Sequence, residues 1–414
     1  MNYYKLKDKL KDKVLITNED LSFEKVCEDD LKNFNGHVFY GDKKPLDSFR
    51  SFFKINSTED LKEETLEILK NHENSNDYPS ILLNAINENR ASFVNLNNDS
   101  FKDIINNCNT KKWRVNIVGL GDVGGTLITG LRLLGGDIVE SIGIFDLDKN
   151  KIDRWIFECN QILDINNPTA PYIEEVKEDE LFNCDMFVFC VSVGVPEVGR
   201  EKEDVRLVQF EGNKKVLSLY AKKARENNFT GIFSVVSDPV DLLCKVAFNE
   251  SNKNSNGEFD FKGLKSHQIK GFGLGVMNAR ANHFAMENLE TKNYLEEGRA
   301  FGPHGEGLLI INSMTNYNED LSNMLTHKTK TANLKIRSAG FKPYIAPALS
   351  SGSISLIATM SGKWHYSANF IGGTFMGCKN IETPYGTCIE TYDFPSNVFE
   401  KLQNTYDYLN SIYK

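Results

Sequence analysis

The chain has 414 residues, 40% hydrophobic and 25% charged, a balance that leaves room for two or three cores and excludes long disordered spans. Its formal net charge of -9 argues against nucleic acid or an anionic membrane as partner, because phosphate binding draws on a local excess of Lys and Arg. No apolar run reaches membrane-spanning length and the N-terminus lacks the apolar core of a signal peptide, so the expected compartment is the cytoplasm.

Residues 1 to 112 are rich in Asn, Lys, Asp and Glu and read as a small mixed or mainly helical domain of unknown role. The segment from Lys5 to Lys13 alternates Lys with Asp and reads as a solvated helix face. Ser57-Thr58-Glu59-Asp60 has the form of a helix-entry cap, and Phe101, Ile104, Ile105 and Cys108 recur at helical spacing. A polar linker, Asn109 to Lys112, ends this part. The cysteines at 27, 108, 159, 184, 190, 244, 378 and 388 are scattered, with no CxxC pair and no His at ligand spacing. They read as small buried hydrophobes in a reducing compartment, so no metal is expected.

The organising stretch follows, from Trp113 to Asp148. A short apolar run, Val115 to Val118, feeds Gly119-Leu120-Gly121-Asp122-Val123-Gly124, and helical spacing then runs through Leu127, Leu131 and Leu134. A second apolar run, Ile142 to Phe145, ends on Asp146. Strand, glycine turn, helix and a strand-tip acid together form a dinucleotide-binding signature. The glycines allow a tight turn, close approach of a pyrophosphate and close helix packing, and the helix N-terminus offers free N–H groups to the phosphates. Asp146 would accept hydrogen bonds from the adenosine ribose, which favours NAD over NADP because a 2′-phosphate would be repelled.

Strands and helices alternate onward, as a doubly wound parallel sheet requires. A helix is expected over Ile152 to Ile162 and strands over Tyr172 to Val176 and Asp185 to Val193. A long helix from about Asp204 to Asn228 precedes the buried run GIFSVVS, which ends on Ser237-Asp238-Pro239. Ligands of such sheets gather at the carboxyl ends of strands, which singles out Gly119 to Gly124, Asp146, the loop that begins Val193-Gly194, and Asp238. From about Gly271 a second domain is expected, with helices around Leu334 and Ile354, short strands near 367, 379 and 387, and a terminal helix from Val398 to Tyr413. The fold class is therefore α/β: a Rossmann-type doubly wound sheet over 113–270, an α+β catalytic domain over 271–414, and the N-terminal domain over 1–112.

Over about 113 to 414 the sequence resembles the lactate and malate dehydrogenase family. The colinear elements are GLGDVGG with Asp146, VSVGVP leading to RLVQFEGN, SDPVD, GFGLGVMNAR, GPHGEG and FMGCKNIETPYGTCIE. The resemblance implies NAD as cofactor, hydride transfer to the carbonyl carbon of a 2-oxo acid, and a homo-oligomer. It makes His304 the proton donor, Arg280 the carboxylate-gripping guanidinium and Arg206 the mobile-loop cation that polarises the carbonyl.

Two positions depart from the pattern. The family's aspartate behind the catalytic histidine is Met277 here, and the asparagine of its NPVD element is Asp238. A thioether cannot orient or support an imidazolium, and a carboxylate accepts but does not donate unless protonated. One site has lost an acid while a neighbouring one has gained one, which suggests that Asp238 now steadies His304; a changed substrate bearing a cationic nitrogen is the competing explanation. In the specificity loop PEVGREKEDVR, counting back from Arg206 puts Arg200 at the selecting position, and counting forward from Pro196 puts Glu197 there. The alternative to an enzyme is an NAD(H)-binding protein of the same fold that has lost catalysis.

Overall fold

The computed structural model describes residues 1–6, 12–106, 112–165, 168–193 and 205–412. Its organising feature is a parallel sheet that begins at β7 (Trp113–Val118), preceded in the chain by six further strands. Alternating with helices come α3 (Asp122–Leu134), β8 (Val139–Phe145), α4 (Lys149–Asn160), β9 (Tyr172–Glu175), β10 (Met186–Phe189), α5 (Val205–Glu226), β11 (Ile232–Val235), α6 (Val240–Ser251) and β12 (Ile269–Gly271). The spatial order β9-β8-β7-β10-β11-β12, with every neighbouring pair parallel, is the doubly wound arrangement. Val115, Ile117 and Val118 on β7 and the whole of β10 are fully buried, as strands covered by helices on both faces must be. Each such side chain contributes about 1.5–3 kcal/mol of burial. The expected run Asp185 to Val193 is ordered as strand only over Met186–Phe189, and the long helix matches its expected span within two residues at each end.

The rest of the C-terminal part supplies α7 (Leu274–Ala285), α8 (Tyr294–Glu297), β13 (Arg299–Phe301), β14 (Leu309–Ile311), α9 (Glu319–Ser338), α10 (Ile354–Met360), β15 (His365–Ile371), β16 (Thr374–Thr383), β17 (Gly386–Ile389) and α11 (Ser396–Ile412). Strands β15 to β17 form an antiparallel meander that joins the parallel sheet where Gly271 pairs with Ala368. Between β13 and β14 lies the glycine-rich loop that carries His304.

The N-terminal segment is a mixed unit with more strand than helix. It contains β1 (Asn2–Leu6), β2 (Lys13–Thr17), β3 (Glu24–Val26), β4 (His37–Asp42), β5 (Phe52–Lys54), α1 (Ser80–Asn87), β6 (Ala91–Asn95) and α2 (Phe101–Asn106). At the two ends of the segment Lys5 to Lys13 a strand stands where a helix face was expected: Lys5 and Leu6 lie in β1 and Lys13 in its antiparallel partner β2, where Tyr4, Leu6, Val14, Leu15 and Ile16 are buried, while residues 7–11 lie outside the described residues. Lys13 is itself buried, its ammonium donating to the Ile105 carbonyl at 3.2 Å. Ser57 caps as expected, with its side chain accepting from Glu59 N–H, but the turn it opens is a 3-10 turn of four residues, Thr58–Leu61.

Strand β5 pairs with β17 through Phe53 and Thr387, so the N-terminal strands and the parallel sheet belong to one continuous sheet. The seam is polar. Lys270 on β12 is buried; its ammonium donates to Asn369 Oδ1 at 3.1 Å and Thr387 Oγ1 at 3.0 Å and pairs with Glu382 at 2.8 Å. Ser51 N–H donates to Ser266 Oγ at 2.9 Å, and buried Glu64 binds Arg50 at 3.0 Å while accepting from Gly372 N–H at 3.2 Å. The bonds from Ser51 to Ser266 and from Gly372 N–H to Glu64 cross the seam, so displacing the N-terminal segment would leave buried polar groups without their partners.

Candidate active site

The glycine turn between β7 and α3 is built for close approach. Gly119 has φ +90°, and a Cβ there would lie 2.7 Å from Val191 N. At Gly124 a Cβ would fall 2.0 Å from the Gly119 carbonyl oxygen, so only glycine lets the helix start this close to the turn. Gly121, by contrast, faces open space, with nothing within 4 Å of the Cβ it lacks. Gly121 is also the N-cap of α3 and supplies no side-chain bond to the first turn, leaving the N–H groups around Asp122 and Val123 available to an anion. That open cradle fits a pyrophosphate.

Asp146, at the tip of β8, accepts from Leu120 N–H at 2.8 Å and from Asp148 N–H at 3.0 Å. One carboxylate therefore braces the glycine turn from the neighbouring strand, with Lys151 3.5 Å away. Asp122 pairs with Lys342 at 3.1 Å across the mouth. Val193 ends the described part of its loop, its N–H donating to Asn213 Oδ1 at 2.7 Å. Gly194, Glu197 and Arg200 lie outside the described residues. So does the side chain of Arg206, whose backbone stands in the first turn of α5.

The second half of the site is made of side chains. Asp238 follows β11 and joins Pro239 through a cis peptide at the entry to α6. His304 sits on the β13–β14 loop, where Gly302, Gly305 and Gly307 all have positive φ, and Gly302 N–H donates to the Gly377 carbonyl of β16 at 2.9 Å. The chain thus brings His304 Nδ1 to 3.0 Å from Asp238 Oδ1. The imidazole is mostly covered, with its side chain 18% exposed, whereas that of Asp238 is 43% exposed. With Nδ1 engaged, Nε2 is the ring nitrogen left for a substrate.

Arg280 stands on α7, partly buried, with its Nη1 3.9 Å from the Met277 sulfur. Burial pulls its pKa down, and the negative charge of Asp238 opposes that shift. Met277 is buried in an apolar cluster with Leu274, Ala281 and Phe284. The position from which the family's acid would act is therefore a core position here.

Residues that the sequence reading passed over hold this geometry. Asn213, buried in α5, receives the Val193 N–H and donates to the Asp238 carbonyl at 2.8 Å, linking the cofactor side of the cleft to the acid. Ser237 Oγ donates to Val191 O at 2.6 Å and reinforces the same junction. Both lie inside motifs already singled out, RLVQFEGN and SDPVD, but their partners are main-chain groups that no spacing rule reveals.

The doubly wound sheet, the glycine cradle and the strand-tip acid define a nicotinamide-dinucleotide-binding protein of the oxidoreductase type. Residues 113–259 match the family described as lactate/malate dehydrogenase, NAD binding domain. A malate dehydrogenase of Aliarcobacter butzleri is 23% identical over 280 residues, covering 64% of this chain and 83% of that protein. An L-lactate dehydrogenase 2 of Staphylococcus aureus is 23% identical over 206 residues, 49% of this chain and 58% of its own length. Among solved structures, a lactate dehydrogenase from a Medee basin deep-sea metagenome library superposes with a TM-score of 0.60 at 19% identity, covering 73% of this chain and 98% of that one. Residues 113–259 thus carry an NAD-binding domain of the lactate/malate dehydrogenase type, and the cofactor is NAD.

Proposed function

We propose that this protein is an NAD-dependent 2-hydroxy acid dehydrogenase working as a 2-oxo acid reductase, with His304 as acid and base. The observation that carries the reading is the 3.0 Å contact between His304 Nδ1 and Asp238 Oδ1 in a chain whose usual supporting position holds Met277. Asp238 fixes the tautomer and steadies the imidazolium from a new direction, which the competing idea of a cationic substrate nitrogen does not require. Bound NADH supplies the hydride. His304 Nε2 delivers the proton to the developing alkoxide, the Arg280 guanidinium holds the substrate carboxylate through two parallel bonds, and Arg206 polarises the carbonyl. Because Asp238 replaces an amide, the substrate oxygen has one neutral donor fewer, so stabilisation of its charge rests on His304 and Arg206. The same reading takes the protein as a cytoplasmic homo-oligomer, divided at about residues 112 and 270, with Glu197 or Arg200 selecting the substrate.

The test is loss of NADH absorbance with a panel of 2-oxo acids, from pyruvate and oxaloacetate to bulkier acids, set beside NADH affinity measured alone. Turnover with at least one acid, lost in His304→Gln while NADH still binds, is the expected result. Tight NADH binding with no turnover on any of them would establish a cofactor-binding protein without catalysis.

A further inference from the structure

Helix α7, which carries Arg280, starts without a cap of its own. Its N-cap is Gly273, which has no side chain to offer the first turn. His304 fills the space where one would stand: a Cβ at Gly273 would lie 3.0 Å from His304 Cβ and 3.0 Å from Val240 Cγ2. The missing cap comes from a distant segment, the turn Pro347–Ser353. Ser351, 2% exposed, accepts from Val276 N–H at 2.8 Å and donates to the Gly273 carbonyl at 2.9 Å, so one buried hydroxyl ties the N-cap to the third residue of the helix. The turn is held tightly against α7, since a Cβ at Gly275 would lie 2.7 Å from the Ser350 carbonyl oxygen and 2.7 Å from Ser355 Oγ. Its other face meets the cofactor helix α3, where a Cβ at Gly130 would fall 2.1 Å from Ser353 Oγ. Arg280 stands one turn past Val276, and its guanidinium lies back toward the capped turn, with Nη1 3.9 Å from the Met277 sulfur.

We propose that Ser351 is a positioning residue for Arg280, its hydroxyl fixing the first turn of α7 and so the place at which the guanidinium meets a substrate carboxylate beside His304. This rests on the reading of Arg280 and His304 as the substrate-gripping and proton-transferring groups. The grip needs two parallel bonds at once, and a guanidinium that shifts with a frayed helix end makes only one of them well. Without the Ser351 hydroxyl, Val276 N–H and the Gly273 carbonyl lose a buried partner, and a side chain at Gly273 cannot replace it without striking His304. The helix end is bare so that the histidine fits, and a residue from another segment restores the cap.

The experiment uses the full chain with NADH bound and compares the wild type with Ser351→Ala and Ser351→Cys, alone and in an Arg280→Ala background. Oxamate, a carboxylate-bearing analogue of a 2-oxo acid, is the binding probe, beside kcat and KM on the best 2-oxo acid, NADH affinity and amide hydrogen exchange. Ser351→Ala should weaken oxamate binding about 3- to 30-fold, the span that a lost helix cap covers, and raise KM in parallel, with kcat within about threefold and NADH affinity within about twofold. Exchange should rise over residues 274–280 and stay unchanged in α3. Ser351→Cys, whose thiol donates and accepts weakly, should fall between, and it stands in if the alanine chain does not fold. In the Arg280→Ala background the same change should lower kcat/KM by less than about twofold, because the group it positions is gone; a general structural role would cost the same in both backgrounds. Wild-type oxamate affinity in a folded Ser351→Ala overturns the proposal, and so does an undiminished loss in the Arg280→Ala background. If the wild type reduces no 2-oxo acid, the dehydrogenase reading fails by itself, and exchange over α7 still decides the place of Ser351: no change in Ser351→Ala removes it as the cap.

Discussion

The two halves of the cleft are made of different material. On the proposed reading the cofactor half is main chain: Gly119, Gly121 and Gly124 shape a turn whose N–H groups would meet the pyrophosphate, and Asp146 braces it through Leu120 N–H. The proposed proton-transfer half is side chain, with His304, Asp238 and Arg280 arriving from a loop, a strand end and a helix. A main-chain site keeps its glycines because no other residue fits where a Cβ would strike backbone. A side-chain site needs only that an acid reach Nδ1, so the acid can move from one element to another while the chemistry stays possible. On the proposed reading, Met277 and Asp238 are what such an exchange would leave behind.

The hardest blow to that comparison comes from undoing the exchange. Asp238→Asn should lower kcat by a factor on the order of 10²–10⁴, because the imidazole loses both its tautomer control and the charge that supports its protonated form. NADH affinity should stay within about threefold, since the cradle does not use this carboxylate. Adding Met277→Asp to Asp238→Asn should then recover about tenfold or more of the lost turnover, with the acid returned to the family's usual element and an amide donor facing the substrate. If the double variant is no better than the single, the two positions are not exchanged partners. A cut into the main-chain half should show the opposite pattern. With its new methyl 2.0 Å from the Gly119 carbonyl oxygen, Gly124→Ala must displace backbone. It should weaken NADH binding by about 10–100-fold while kcat at saturating cofactor stays within about threefold, measured by NADH titration and by steady-state rates.

The same division governs what could be read from the sequence. Strand, glycine turn, helix and Asp146 were legible because each follows from a local rule, period or spacing, and the alternation to Gly271 extends those rules. The N-terminal strands were not, because β3 and β5 are only three residues long and lie in Asn- and Lys-rich sequence, and their pairing with distant segments is what makes them strands. His304, Arg280 and Asp238 were legible one at a time through motif order. What their arrangement depends on was not: Asn213 and Gly377 act through main-chain groups from two separate elements, and a contact of that kind leaves no pattern along the chain.

The mildest probe asks how much a main-chain site relies on the one carboxylate that serves it. In the structure Asp146 spends one oxygen on Leu120 N–H, at 2.8 Å, and the other on Asp148 N–H, at 3.0 Å, so it braces the turn, and on the proposed reading it would also meet the ribose. Asp146→Asn keeps one acceptor for the turn and gives up the charge, and the amide can still bond one ribose hydroxyl. NADH affinity should therefore fall by only about three- to tenfold, roughly what the loss of one charge-assisted hydrogen bond at a partly exposed site costs. NADPH should gain relative to NADH because the repulsion of a 2′-phosphate is removed, and Lys151, 3.5 Å from the carboxylate, becomes free to meet it. Titrating both cofactors against the variant measures the two effects separately. A loss as large as that of Gly124→Ala would mean that the cradle stands or falls with a side chain, and the contrast between the two halves of the cleft would dissolve.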